Sequence, residues 1–325
     1  MKKLLALLTV LTLAVLMVGC GGTEKKDGKL KIGVIQYMSH PSLDNCYNGI
    51  EEALKASDLD YTIDYQVGSS NSADSDCATF AKNMVADNCD LIFAIATPAA
   101  KAAFNATADT DIPVIFCAVS DPVAAKLVKD MEKPGDLCTG TSDVLDLSAQ
   151  VDLIQSMQPD VKTIGVLYTS SEDNSLTNLA TFTKICKERG LALESVAVQS
   201  ATDIPAAAET LASKVDCINN FTDNNVVQNL QVVLSAADKY KIPVYGSEEE
   251  QVKNGCLAAV SIDYIALGKV TGEMGVDVLN GKDIMKMAVR SITDATPVVN
   301  TVVLEALSME MPADYTNATT VGTVQ

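Results

Sequence analysis

Ile32-Gly33-Val34 returns 132 residues later as Ile164-Gly165-Val166, and Ile112-Pro113-Val114 returns after 130 residues as Ile242-Pro243-Val244. Two apolar phrases repeated in the same order at matched offsets point to one α/β unit used twice. The flanking sequence fills in that unit. Leu30 to Tyr37, Tyr61 to Val67, Leu91 to Ala96 and Val114 to Val119 read as strands, separated by helical stretches at Leu43 to Ser57, Asp74 to Asp87 and Pro98 to Ala108. The second half alternates in the same way, with strands at Thr163 to Tyr168, Leu193 to Val198, Cys217 to Asn220 and Val244 to Tyr245. Helices fall between them at Ser175 to Arg189, Ile204 to Ser213 and Asn225 to Tyr240. Strand-helix-strand order means parallel sheets. The expected fold is therefore α/β, with two similar Rossmann-like lobes joined by a three-segment hinge. Stretches around Cys138 to Thr141, Leu257 to Ile262 and Val298 to Leu304 are the predicted crossings. That assigns 30–143 plus 262–288 to the first lobe and 144–261 plus 289–312 to the second, and leaves 313–325 as a polar, loose tail. Ligands of open parallel sheets sit at the carboxyl ends of the strands, so two facing lobes can close over a small molecule from both sides.

The leader says where such a clamshell works. Lys2 and Lys3 precede a largely apolar run from Leu4 to Val18, and Gly19-Cys20-Gly21-Gly22 follows. The run is short for a membrane span of about 20 residues and small residues close it, so 1–19 reads as an export signal. It resembles a bacterial lipoprotein signal, which implies that Cys20 becomes the lipidated first residue. Met17 departs from that pattern where Leu is usual, and a plain secretory signal is the alternative. Residues 20–29, rich in Gly, Lys and acids, read as a flexible tether.

With 42 Asp and Glu against 24 Lys and Arg the chain carries a formal charge of −18, which becomes about −20 once the two leader lysines are lost. Such a surface repels phosphate backbones and anionic headgroups, which argues against nucleic-acid binding and leaves the lipid as the membrane link. Nine cysteines, eight of them after Cys20, would permit disulfides outside the cytoplasm. Cys117 and Cys217 sit in apolar strand runs and Cys46 and Cys186 in helical stretches, so buried free thiols are the preferred reading. One histidine, His40, and no clustered His/Cys spacing give no case for a metal, and nothing in the pattern calls for a cofactor.

Polar residues concentrate where strands end and helices begin. Thr97-Pro98 and Ser120-Asp121-Pro122 follow strands of the first half, and Glu172-Asp173-Asn174-Ser175 and Thr222-Asp223-Asn224 occupy the same place in the second. Helix amino ends offer free N–H groups to a carboxylate, and a nearby acid can hold an ammonium, so together these suit a zwitterion. Each residue taken singly also has an ordinary role as a helix cap. The candidate ligand-binding set is Thr97, Ser120, Asp121, Glu172, Asn174, Ser175, Thr222 and Asp223, with Tyr37, His40, Ser247 and Asp263 around them. His40 beside Pro41 reads equally well as a residue that orients the first helix.

These residues resemble a family. Gln36-Tyr37-Met38-Ser39-His40-Pro41-Ser42-Leu43-Asp44, Ala96-Thr97-Pro98-Ala99, Ser120-Asp121-Pro122, Thr139-Gly140-Thr141-Ser142-Asp143, Glu172-Asp173-Asn174-Ser175, Thr222-Asp223-Asn224 and Asp263-Tyr264-Ile265-Ala266-Leu267-Gly268 are similar to motifs of the ABC-transporter substrate-binding lipoproteins that include tryptophan- and tyrosine-type binders. The resemblance runs from about Lys31 to Leu307. It implies a type I periplasmic-binding-protein fold, capture of a small solute outside the membrane, and delivery to a permease and ATPase on separate chains. An amino acid, aromatic by the family's habit, is the implied solute, with other amino acids and small polar metabolites left open. Asn219-Asn220-Phe221 departs from an apolar-Pro step usual in relatives and suggests a more polar pocket. The chain has no tryptophan, and Tyr37, Phe116, Tyr168, Phe221, Tyr245 and Tyr264 are the available stacking faces.

Two other classes of function compete with this one. A hydrolase or isomerase needs a nucleophile and a base, and G-x-S-x-G is absent, so no enzymatic activity is expected. A ligand-sensing lipoprotein that presents the same solute to a receptor has identical ligand chemistry. Glu248-Glu249-Glu250 reads as a solvated loop or a docking patch for such partners.

Overall fold

A computed structural model describes residues 28–292 and 295–322. The expected leader, Cys20 and most of the tether lie outside the described residues. The chain starts with β1 (Leu30–Gln36), α1 (Pro41–Lys55), β2 (Tyr61–Val67), α2 (Ala73–Ala86), β3 (Leu91–Ile95), α3 (Thr97–Thr107), β4 (Val114–Cys117) and β5 (Cys138–Ser142). It then enters a second lobe through α4 (Leu147–Met157), β6 (Thr163–Thr169), α5 (Asp173–Glu188), β7 (Ala192–Val198), α6 (Ile204–Ala212) and β8 (Cys217–Asn219). That lobe continues with α7 (Asn224–Gln228), α8 (Leu230–Tyr240), β9 (Val244–Tyr245), α9 (Glu249–Lys253) and β10 (Ala258–Ser261). From there α10 (Tyr264–Leu279) and β11 (Arg290–Ser291) return to the first lobe, and β12 (Thr296–Asn300), α11 (Thr301–Ala306) and β13 (Thr319–Val321) finish on the second.

The first sheet has the order β11-β5-β4-β3-β1-β2 with parallel neighbours throughout, and the second contains β9-β8-β6-β7, also parallel. The shared order β4-β3-β1-β2 and β9-β8-β6-β7 is the duplicated unit anticipated from the sequence. Its repeated phrases have a physical cause. A Cβ on Gly33 would lie 2.5 Å from the Met84 sulfur on α2, and one on Gly165 would lie 2.9 Å from Leu211 Cγ on α6. The second helix of each unit thus packs against the centre of its first strand, where only glycine leaves room. Pro113 and Pro243 stand immediately before the last strand of each unit, and their carbonyls accept the amides of Ile92 and Ile218 at 3.0 Å. Lacking an N–H, proline is tolerated at that position.

Hydrogen bonds from Gly246 N to Ala258 O (2.9 Å) and from Leu257 N to Val244 O (2.7 Å) carry the second sheet on to β10. Strand β12 pairs antiparallel with β10, and β13 lies parallel outside it. The segment read as a loose tail therefore supplies a strand, because Thr319, Thr320 and Val321 are β-branched and reach an open edge. Two crossings follow β5 and β10 directly. The third lies between β11 and β12, earlier than expected, and the pairing of Arg290 and Ser291 with β5 carries the first lobe past 288. The helix expected over Asn225 to Tyr240 is two, broken at Asn229.

Both sheets are covered on both faces, which is why their central strands read as unbroken apolar runs. All five residues of β3 are buried. All eight cysteines after Cys20 are buried free thiols, as preferred over disulfides. Helices α1 and α10 pack backbone to backbone: a Cβ on Gly268 would come within 2.1 Å of the Cys46 carbonyl oxygen. No helix of the described residues is long and apolar enough to cross a membrane. Gly268→Ala is expected to push α10 off α1 and to cost about 2 kcal/mol, a fall of several degrees in melting temperature. A calorimetric scan that finds no fall would disprove the close packing of these helices.

Candidate functional site

Between the lobes lies a narrow space walled mostly by the starts of helices. From the first lobe come His40, Ser42 and Leu43 at the start of α1, Ala96 and Thr97 at α3, and Tyr264 at α10. Ala118, Ser120 and Asp143 join them from the segments that follow β4 and β5. The second lobe adds Asn174 from α5, Thr222, Asn224 and Val227 around α7, and Glu248 from α9. This is what parallel sheets dictate, since each strand's carboxyl end delivers the next helix's amino end to one edge.

Three of these helices, α1, α3 and α5, have no side-chain cap. Pro41 and Pro98 have no N–H to offer, but the other N–H groups of these first turns and the positive dipole ends have no side-chain cap and can meet an anion. Ala96 and Ala118 hold φ of 79° and 55°, conformations costing a non-glycine residue roughly 1–3 kcal/mol each. Both residues stand in the cavity wall, where the bend turns the backbone toward the cavity. Thr97 Oγ1, Thr222 Oγ1, Asn174 Oδ1 and His40 Nδ1 are buried without a hydrogen-bond partner in the protein. Buried polar atoms in that condition are costly, so four around one cavity mark it as built for polar contacts.

The cavity wall holds two carboxyl groups and no lysine or arginine. Asp143 accepts hydrogen bonds from Ser120 Oγ (3.0 Å) and Tyr264 Oη (2.9 Å), and burial holds its carboxyl above the ordinary range. Glu248 is 1% exposed and caps α9 by accepting from Glu250 N (2.8 Å) and Gln251 N (3.0 Å). Burial pushes its carboxyl up to about 7. Reading Glu248 with its acidic neighbours as a solvated loop was therefore wrong.

Five of the twelve expected ligand residues line the cavity: Thr97, Ser120, Asn174, Thr222 and His40. The others do structural work nearby. Asp223 accepts from Thr169 N (2.5 Å), Thr169 Oγ1 (2.8 Å), Ser175 Oγ (2.6 Å) and Val226 N (3.0 Å), a clip that occupies both it and Ser175. Glu172 is buried behind Asn174 and Asn224. Asp121 accepts the Ala124 amide (2.9 Å), Ser247 donates to the Asn220 carbonyl (2.5 Å), and exposed Asp263 caps α10 through Ile265 N and Ala266 N. Tyr37 is buried at the end of β1, and burial beside Glu172 and Asp74 pushes its hydroxyl pKa up. Of the aromatic rings considered, only Tyr264 reaches the cavity, while Phe221 packs edge-on against Phe182 in the core. Asn219 and Asn220 are fully buried and outside the lining, so their polarity is not the cavity's. Ser42, Asp143, Asn224 and Tyr264 stood inside the quoted motifs, and alternation of strand end and helix start was the signal that could have selected them.

The lobes are closed on each other. Lys101 pairs with Asp173, His40 Nε2 lies 3.3 Å from Asn224 Oδ1, Gln228 Nε2 donates to Ser39 O (3.3 Å) and Asn45 Nδ2 to Glu250 Oε1 (3.4 Å). A wider chamber of about 200 Å³ opens beside the first, with His40, Ser42, Val227 and Glu248 in the wall of both.

Comparison with known proteins agrees with this geometry. The sequence signature described as ABC transporter substrate binding protein matches residues 31–319. A tyrosine-binding protein of Clostridioides difficile (strain R20291) is 36% identical over an alignment 330 residues long that covers 95% of this chain and 93% of that protein. A Streptococcus pneumoniae ABC domain in complex with L-Trp superposes with a TM-score of 0.86 at 38% identity, covering 90% of this chain and 100% of that one. The ligand-free, open structure of a Clostridium difficile substrate binding protein with adhesive properties gives 0.68 at 37% identity, covering 91% and 100%. At nearly equal identity, the closed lobes match the L-Trp complex better than the open form. The fold is that of type I periplasmic binding proteins.

Burial of Glu248 has a measurable consequence. Its carboxyl stands at about 7 in the folded protein against an ordinary 4.5, so its uncharged form is the one folding favours. The stability this confers is complete below about pH 4.5 and is lost as pH rises through about 7, a few kcal/mol in all. Melting temperatures of the wild type and Glu248→Gln should diverge between about pH 5 and pH 8, with the variant gaining on the wild type as pH rises. A gap that stays constant across that range would show that Glu248 is solvated.

Proposed function

The chain belongs to the ABC transporter substrate binding protein family, and we propose that it captures one aromatic amino acid between its lobes outside the membrane. Delivery is to a permease and an ATPase on separate chains. Cleavage before Cys20 and lipidation of that residue anchor the protein, with 20–29 as the tether, and the two lobes turn on the three crossings. The observation that carries the reading is the cavity wall: helix starts from both lobes, unpartnered hydroxyl and amide oxygens, buried acids and no cationic side chain.

A zwitterion satisfies that wall. With no arginine or lysine present, a ligand carboxylate has the uncapped start of α3 and the Thr97 hydroxyl to receive it. An α-ammonium has Asp143 and Glu248. Leu43, Val227 and the Tyr264 ring are apolar surface for a side chain, and tyrosine is well suited to stack or pack edge-on with an aromatic ring. The names of the relatives, a tyrosine-binding protein and an L-Trp complex, support the aromatic choice.

The test is thermal unfolding of the chain from Lys29 onward, refolded to remove carried-over solute, with amino acids, sugars and nucleosides added in turn. Solute at 100 times its dissociation constant should add about 2.7 kcal/mol of stability. Stabilisation by L-tyrosine or L-tryptophan is the expected result, and stabilisation by sugars or nucleosides alone would refute it. Thr97→Val keeps the shape and removes a hydroxyl that has no partner in the protein. It should leave the solute-free melting temperature unchanged or higher while weakening amino-acid binding about tenfold, read by calorimetric titration. Unchanged affinity would remove Thr97 from the site.

A further inference from the structure

His40 is the chain's single histidine, and the second lobe fixes which of its ring nitrogens carries the proton. Glu172 Oε2 accepts from Asn174 Nδ2 at 2.9 Å, Asn224 N at 3.2 Å and Asn224 Nδ2 at 2.6 Å. An oxygen surrounded by three N–H groups is an acceptor. Burial raises this carboxyl to about 8, but any proton it takes belongs on Oε1, whose contact is a longer one of 3.4 Å from Asn225 N. In either state Asn224 must turn Nδ2 toward Glu172 and Oδ1 toward His40, whose Nε2 is 3.3 Å away. An amide oxygen has no hydrogen to give, so Nε2 is the donor.

The imidazole is 8% exposed, and burial lowers its pKa to about 4. A neutral ring protonated on Nε2 has a bare lone pair on Nδ1. That atom is buried and has no partner in the protein, and the ring stands in the cavity wall. Building on the solute-binding reading above, we propose that Glu172 and Asn224 are positioning residues that lock His40 as its Nε2–H tautomer when the lobes close, and that Nδ1 then accepts a hydrogen bond from an N–H or O–H group of the solute. His40 belongs to the first lobe and its two positioning residues to the second, so the lock exists only in the closed protein. A solute that closes the lobes without bringing a donor to Nδ1 leaves a buried acceptor unpaired and binds roughly tenfold more weakly.

The donor is a ring group, phenol O–H or indole N–H, or the α-ammonium. The experiment distinguishes them. Untagged protein labelled with 15N-histidine gives one imidazole, whose tautomer is read directly from long-range proton-nitrogen correlations. Saturated with L-tyrosine or L-tryptophan, it should show a proton on Nε2 and a pyridine-type Nδ1 whose signal moves as a hydrogen-bond acceptor's does. An Nδ1 signal that moves equally with L-phenylalanine supports the α-ammonium as donor, and one that moves only with L-tyrosine and L-tryptophan supports the ring. Asn224→Ala should yield a mixture of tautomers and bind about tenfold more weakly, a spectroscopic change that loss of packing alone does not produce. A proton on Nδ1 in the saturated protein, or an Nδ1 signal indifferent to solute that binds, overturns the proposal while leaving amino-acid capture intact. If no amino acid binds, the reading of the solute fails instead, and the tautomer is still decided in the protein tied shut by a short amine-to-thiol cross-link between Lys101 and Asp173→Cys. Nδ1–H in that closed protein overturns the lock.

Discussion

Strand direction is the constraint on which everything else depends. In a parallel sheet all carboxyl ends lie on one edge, so each following helix must begin there. The four-strand order is the same in both lobes, and each lobe therefore offers its partner an edge of helix amino ends. Peptide dipoles make such an edge favourable for negative charge. It is where this chain keeps Asp143, Glu172 and Glu248 buried, each surrounded by N–H or O–H donors, and where no cationic side chain is needed. Burial still wins over those donors, since all three carboxyl groups are held above their ordinary range.

Closure is weakly held by the protein itself. The Lys101–Asp173 pair is 43% and 34% exposed, and a pair so solvated is worth about 0–1 kcal/mol. Three cross-lobe hydrogen bonds at 3.3–3.4 Å are at the long end for that interaction. Against them stand four buried polar atoms that closing removes from water without giving them partners. A solute that pairs with those atoms changes the sign of the balance, and its differential affinity for the closed form is what shifts the population.

The duplicated fold was legible because its signals are local. Gly33 and Gly165 mark the same helix-to-strand contact, and Pro113 and Pro243 mark the same strand start, so the phrases recur wherever the unit does. Local reasoning failed where a residue's role depends on a partner far along the chain. Asp223 looks like a ligand acid and is a clip because Thr169 and Ser175 converge on it, whereas Ser120, one residue before Asp121, is the one that reaches the cavity. Acidic Glu248 gives no local sign of burial, since the α1 segment that covers it comes some two hundred residues earlier. The link between His40 and Asn224 spans 184 residues and crosses the cleft. Thr319–Val321 reads as polar tail because one face of an edge strand is solvated, and only the free edge of β12 makes it a strand.

Asp143 joins the cavity to the hinge. It is the first residue after β5, where the chain leaves the first lobe, and it sits in the cavity wall. One oxygen holds Ser120 at the end of the β4 segment, and the other holds the hydroxyl of Tyr264, the first residue of α10, where the chain comes back. Two of the three crossings are thus tied to a single buried carboxylate that faces the cavity, and their first-lobe ends are held to each other. Rotation of the lobes must be taken up on the far side of those points, in 144–146 after Asp143 and around Ile262 before α10. A solute group bonded to Asp143 therefore acts at the fixed end of the hinge, and the same contact that binds it stiffens the base on which the second lobe turns.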